Sequence, residues 1–433
     1  MIAQNPHSLK VEKTPVSLTS FAGLPLLTEL AHSTGLIKNL DAIPGIWRRN
    51  GAYSTSDYVM ELMLTLASGG ETLEDTRILR GDVGLQQLCL PELPAANSLG
   101  DFLGRFDNRS IYRLSEATAQ QALLNIRPAQ PLTLDMDSTL IESDKKEAGT
   151  MYNGSSGYNP LPAWAAEADV FMGCVFRNGN ASPQSHMLPL LKYCRKHLHA
   201  DNPLRLRSDS AGYQLDIMEY CNNNGIGFTI TADLDESVRE VISNIPKKDW
   251  RLMIKDKETF LFAETVHAPG SGSNQKKLPA FRMIVTRKIK GQLELFSDLF
   301  KDRAIISNFP ASLTSEQVLN HHNGRGSAEK AIGELKNGFA FDKLPCGELK
   351  ANAAYSQICV LAYNLVRTFK NRALPRRWSS YCIKNLRFRL LCQAAVVIRH
   401  SRRLILKLSD NFPHFDVFEQ ARWSVLSPAL SSA

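Results

Sequence analysis

PLTLDMDSTL, residues 131–140, decides how the rest of the chain is read. It has the character of a strand, and side chains two apart on a strand leave the same face. Asp135 and Asp137 therefore share one side while Leu134 and Met136 share the other. A central strand of an α/β sheet is normally apolar on both faces. Two neighbouring carboxylates there repel each other and are costly to desolvate unless a cation neutralises them. Two readings stay open: the strand is ending and its acids are wet, or they belong to a metal site.

Parts of ADVFMGCVF (168–176), LRLRSD (204–209) and GIGFTITAD (225–233) also read as strands, with helices expected over 190–198 and 214–223. Strands followed by helices indicate an α/β core. After Trp250 come five strand-like runs, LMIKD, TFLFAETV, FRMIVTR, LELFS and AIISN, without a helix between them, so this stretch reads as a β-rich insertion. Upstream of RPAQP (127–131), apolar residues recur at helical spacing from Pro25 to about Leu124. Leu27–Leu40, with Gly35 at a turn, has the outline of a helix-turn-helix, although two short helices are more often plain packing units. GSGSNQKK (270–277) reads as a hairpin tip rather than a phosphate loop, and AVVIRHSRRLILKL (395–408) as a basic hairpin or pair of strands. The expected divisions are a helical N-terminal domain (1–130), a first core part (131–245), the insertion (246–318), a second core part (319–372) and a basic C-terminal segment (373–433).

Two further stretches carry acids. Asp209 ends LRLRSD, where functional residues of open α/β sheets collect, though it also suits a helix cap. HHNGRGSAEKAIGELK (321–336) puts Arg325, Glu329 and Lys336 in a narrow helical arc beside the apolar arc of Ala328, Ile332, Leu335 and Phe339. A plain Arg325–Glu329 salt bridge is the bland reading, and Glu334 is a rival carboxylate that points away from both cations. Separated carboxylates suit hard divalent cations, which keep positions open for phosphate oxygens; two ions about 4 Å apart activate a nucleophile and stabilise a leaving oxygen.

The chain has 433 residues, 43% hydrophobic and 22% charged, as in a soluble protein of two or three domains. Its net charge is +8, and from Leu361 to Ser409 there is no Asp or Glu among many Lys and Arg. That run predicts a polyanion partner, and RNA or anionic lipid would satisfy the charge as well as DNA. The eight cysteines form no C-x-x-C pair, and no signal-peptide core or transmembrane-length run is present. A cytoplasmic protein with reduced thiols is expected.

The motifs together resemble the DDE transposases of bacterial insertion sequences. One branch carries tyrosine, two residues, arginine, three residues, glutamate, six residues, lysine; His322, Arg325, Glu329 and Lys336 keep that spacing with histidine in place of tyrosine. LDMDST and LRSDSAGY are similar to the branch's first and second aspartate strands, and GYNPLPAW (157–164) and the turn at 177–180 extend the likeness, which covers roughly 55–408. The resemblance implies an α/β fold: a ribonuclease-H-like mixed sheet with flanking helices, interrupted by the β-rich insertion, plus the helical N-terminal domain. It implies Asp137, Asp209 and Glu329 as ligands of two Mg²⁺ ions, with Mn²⁺ as a substitute and Asp135 as a further candidate ligand. Arg325, Lys336 and His322 are implied as DNA-phosphate contacts, with Trp250 a weak candidate for holding a flipped base. The partners implied are double-stranded DNA, as terminal inverted repeats and target, and a second copy of the chain, without a membrane. A nuclease that cuts without joining, or an inactive DNA-binding protein, are the alternatives.

Overall fold

The computed structural model describes residues 9–44, 46, 53–89, 93–255, 258–270, 278–289 and 300–427. At its centre is strand β1 (Leu132–Met136), followed by β2 (Leu161–Ala165), β3 (Val170–Val175), β4 (Leu204–Ser208) and β5 (Gly227–Thr231). Their order in the sheet is β3-β2-β1-β4-β5. The first three run antiparallel as a meander, while β4 and β5 lie parallel to β1. The insertion does not form a sheet of its own. Its strands β6 (Arg251–Lys255), β7 (Glu258–His267), β8 (Phe281–Ile289) and β9 (Phe300–Ser307) form an antiparallel run that joins the same sheet, because Ile305–Ser307 of β9 pairs with Thr229–Thr231 of β5. LELFS, and the expected hairpin tip beyond Gly270, lie outside the described residues.

The two faces of this sheet differ. Leu132, Leu134 and Met136 are at most 1% exposed and pack with Leu206, Phe228 and Ile230 in one apolar core, each such leucine contributing about 1.5–3 kcal/mol on burial. The opposite face carries Thr133 and Asp135 on β1, beside Arg205 and Arg207 on β4 and Thr229 on β5 in register. The central strand is thus apolar on one face only.

Helices α1 (Leu24–Ser33), α2 (Leu36–Asp41), α3 (Thr55–Ser68) and α4 (Asn108–Leu123) precede the sheet. Gly35 links the first two at a left-handed φ of 75°, and the leucines of both helices point into the core, as expected of packing units. After β3 comes α5 (Met187–His197), and after β4 comes α6 (Leu215–Asn223), close to the expected bounds. The chain continues beyond β9 as α7 (Ser315–Asn323), α8 (Gly326–Phe339), the long α9 (Leu349–Ala373) and α10 (Phe415–Leu426). The terminal segments share one interior: α1, α3 and α4 bury their apolar residues against α8, α9 and α10. Leu18 and Thr19 also pair with Val396 and Ala395 at the base of a hairpin formed by β10 (Ala395–His400) and β11 (Arg403–Leu408). Among the described residues, no helix is long and apolar enough to cross a membrane.

The basic run divides by direction. Arg367 pairs with Asp169 and Glu334, Lys370 donates to the Tyr381 carbonyl and Arg372 to that of Leu124. Arg387 donates to Leu66 (2.6 Å) and Ala67 (2.8 Å) at the end of α3 and to Gly338 near the end of α8, bonding carbonyls at two helix C-termini at once. These four cations hold the fold rather than face a polyanion. Arg376, Arg377, Lys384, Arg389, Arg399, Arg402, Arg403 and Lys407 remain exposed.

Candidate active site

Strand ends bring the first two acids together. Asp137 follows β1 and Asp209 follows β4, and since those strands are adjacent and parallel their carboxyl ends emerge side by side. Asp209 uses one oxygen as a cap, accepting from the Ala211 N–H at 3.0 Å. Its other oxygen lies 3.9 Å from Arg325, whose guanidinium donates to Asp137 at 2.9 Å. Burial pushes the Asp137 carboxyl above its usual range; Arg325 opposes this, whereas the charges of Asp209 and Glu329 reinforce it. Glu329 is exposed on the first turn of α8, one turn after Arg325.

The rival acids are spoken for. Both oxygens of Asp135 accept from Arg207, at 2.5 and 2.6 Å, and the pair is sealed, with side-chain exposures of 1% and 7%. Asp135 therefore serves as the counter-ion of Arg207 rather than as a further open ligand. Arg207 continues to the His321 carbonyl at 2.6 Å and so ties the sheet to α7. Glu334 accepts from Arg367 at 2.6 Å and from the Ile383 N–H at 2.7 Å, which commits it to the helical core.

Lys336 donates to the Leu140 carbonyl at 2.8 Å, bracing the segment just past Asp137, and burial lowers its pKa. His322 departs from expectation. It is fully buried, its Nε2 lies 3.0 Å from the Thr231 hydroxyl, and burial helped by Arg303 and Arg325 drops its pKa to about 3. A neutral ring inside the protein is not a phosphate contact, so that expectation is corrected. Its neighbour His321 sits between Thr133 and Thr229 at 3.4 and 3.3 Å, with a pKa lowered to about 4 mainly by burial. These two histidines seat the C-terminal turn of α7 on the polar face of the sheet. The ring of Trp250 is stacked against the guanidinium of Arg287 at 4.1 Å, and Arg287 pairs with Asp302.

Two arginines escape a reading of the sequence. Arg207 is visible as part of the alternation LRLRS, but its partner lies 72 residues away. Arg303, on β9, gives no signal. It reaches Asn323 Oδ1 at 3.3 Å and Thr231 Oγ1 at 3.5 Å, close enough to Arg325 for each to feel the other's charge. Beside it, Phe260, Leu319 and Asn320 help line a cavity of about 290 Å³ between the insertion strands and α7.

An oxygen-only donor set suits hard divalent cations. In this side-chain arrangement, among the described residues, no three His, Cys, Asp or Glu side chains cluster tightly enough to hold a metal ion; the cation shared by Asp137 and Asp209 is Arg325. The family profile for the transposase DDE domain, group 1, matches residues 3–427. The chain belongs to that family. Its members are enzymes of DNA transposition and generally use divalent metal ions. The fold is similar to that of a piggyBac transposase, solved by cryo-electron microscopy in a synaptic complex with hairpin DNA. The TM-score is 0.50 at 11% identity, covering 87% of this chain and 83% of that one. No curated protein matches the chain.

Proposed function

We propose that this DDE-family chain is the transposase of a bacterial insertion sequence. In this reading it binds the terminal inverted repeats of its element, cleaves there with Mg²⁺, and joins the freed ends to target DNA. The observation that carries the reading is the meeting of Asp137 and Asp209, from adjacent parallel strand ends, on Arg325, one helical turn ahead of Glu329. The strand order β3-β2-β1-β4-β5, with only β2 antiparallel to both its neighbours, supports a ribonuclease-H-like core. The structurally similar piggyBac transposase was captured in a synaptic complex with hairpin DNA, which supports duplex DNA as the partner to expect; a homodimer is the form to look for.

Asp137, Asp209 and Glu329 would hold the divalent ions, and Arg325 would release the aspartates to take a phosphate oxygen. Such ions, when bound, activate the attacking oxygen and stabilise the leaving one. Lys336 fixes the backbone past Asp137, and the Asp135–Arg207 pair fixes α7 and with it the approach of Arg325. The 1–130 segment would contribute to end binding or assembly, and work on DNA would place the protein in the cytoplasm, at the nucleoid.

Purified protein, the duplex ends of its element, Mg²⁺ and a target plasmid test the proposal. Joined product is expected, and Glu329→Gln should abolish it. Cleavage without joined product would assign the chain to nucleases instead.

A further inference from the structure

The hairpin of β10 and β11 starts inside the protein and ends outside it. Ala395 and Val397 are buried, whereas every residue from Arg399 to Ile405 is exposed on both strands. His400 pairs with Arg403, leaving Ser401 and Arg402 as a two-residue turn. Both adopt left-handed backbone, with φ of 47° and 64°. Such turns favour Asn-Gly, because at positive φ Cβ crowds the following carbonyl, a cost that glycine avoids and that the short polar side chain of asparagine offsets by local hydrogen bonding. An arginine at this place is therefore kept against the local preference, and among the described residues it has neither hydrogen-bond nor ion-pair partner.

Basic residues on an edge strand also guard against strand-to-strand aggregation, which accounts for Arg403 and Lys407 on β11. It does not account for Arg402, which lies in the turn and off the edge. Arg399, at the end of the inner strand β10, is likewise unexplained by it. No acid lies within this run to neutralise the tip.

We propose that this hairpin is a DNA-binding ribbon, with Arg399, Arg402 and Arg403 placed against the phosphates that flank a groove. A two-stranded ribbon fits the major groove, about 12 Å wide. The assignment rests on the transposase reading for its partner and names the surface that engages it.

The test uses the full chain without divalent metal, so that binding is read without cleavage, on a short duplex over a series of salt concentrations. Replacing the three arginines by alanine should lower the slope of log K against log salt by about 0.9 for each phosphate no longer neutralised. Arg402→Gly should relieve the turn, raising the unfolding temperature while weakening duplex binding. That opposed pair of effects is not produced by a purely structural arginine. An unchanged slope in the triple variant, with wild type binding normally, overturns the hairpin assignment and leaves the transposase reading standing. Failure of the wild type to bind any duplex sinks both. A change in oligomeric state with an unchanged slope assigns the β11 edge to protein contact and also overturns the proposal.

Discussion

Asp135 and Asp137 are two residues apart, leave β1 on the same side, and each faces an arginine. Their surroundings differ in depth, because Asp135 lies within the strand and Asp137 just past its end. The Asp135–Arg207 pair is closed on all sides, while in the Asp137–Arg325 pair both side chains keep nearly a fifth of their surface exposed. The inner pair satisfies every oxygen of its carboxylate and so becomes part of the scaffold. The outer pair can open, since Arg325 has a second acid within reach and solvent beside it. Depth along a strand, not residue type, separates a sealed ion pair from a half-open one.

The sharpest way to break this contrast is to neutralise each acid in turn. Asp137→Asn should reduce strand joining roughly a thousand-fold, about 4 kcal/mol of barrier, with an almost unchanged unfolding midpoint, because burial already disfavours the charged carboxyl and asparagine keeps an oxygen that accepts from Arg325. A joining assay beside a melting curve reads both. Asp135→Ala should do the reverse in stability, costing about 3–5 kcal/mol in urea unfolding through the stranded charge of Arg207. Leucine at both 135 and 207 should recover most of that stability; if it does not, the pair does more than balance charge.

The next contrast is in pH. Folded His322 takes up a proton only near pH 3, against about 6.5 when unfolded, so between those values the unfolded chain binds more protons. The stability is fully present above pH 6.5 and is lost as pH falls. The expected decrease is about 2 kcal/mol between pH 6.5 and 5 from this ring alone. His322→Gln should flatten that part of the profile, and an unchanged profile would show that the ring titrates freely. The smallest effect belongs to Lys336→Met, which removes the bond to Leu140. It should cost about 1 kcal/mol of stability and slow joining about tenfold, one power of ten for each 1.4 kcal/mol.

Much of the candidate site can be read from the chain because its parts are local. Asp137 and Asp209 stand at the ends of alternating runs, and Arg325, Glu329 and Lys336 are spaced along one short segment. The angular argument that sets Glu334 apart from Glu329 agrees with its bonds to Arg367 and Ile383. What escapes depends on register and direction. The Arg207 partner of Asp135 is fixed only by pairing β1 with β4, and the burial of His322 only by seating α7 on the sheet. Sequence also counts charges without saying which way they point, so Arg367, Lys370, Arg372 and Arg387 read as surface when they lie inward. The insertion is recognisable as strands, but its continuity with the main sheet needs the match of β9 to β5.

Arg387 reaches back to the carbonyls of α3 across 321 residues of chain. During synthesis at about 5–20 residues per second, that interval lasts roughly 16–64 s. Throughout it the leucines of α1 and α3 lack the helices that will cover them. The order of synthesis therefore makes the first part of the protein wait for the last, and a prematurely ended chain would keep a sticky N-terminal half that no downstream helix ever closes.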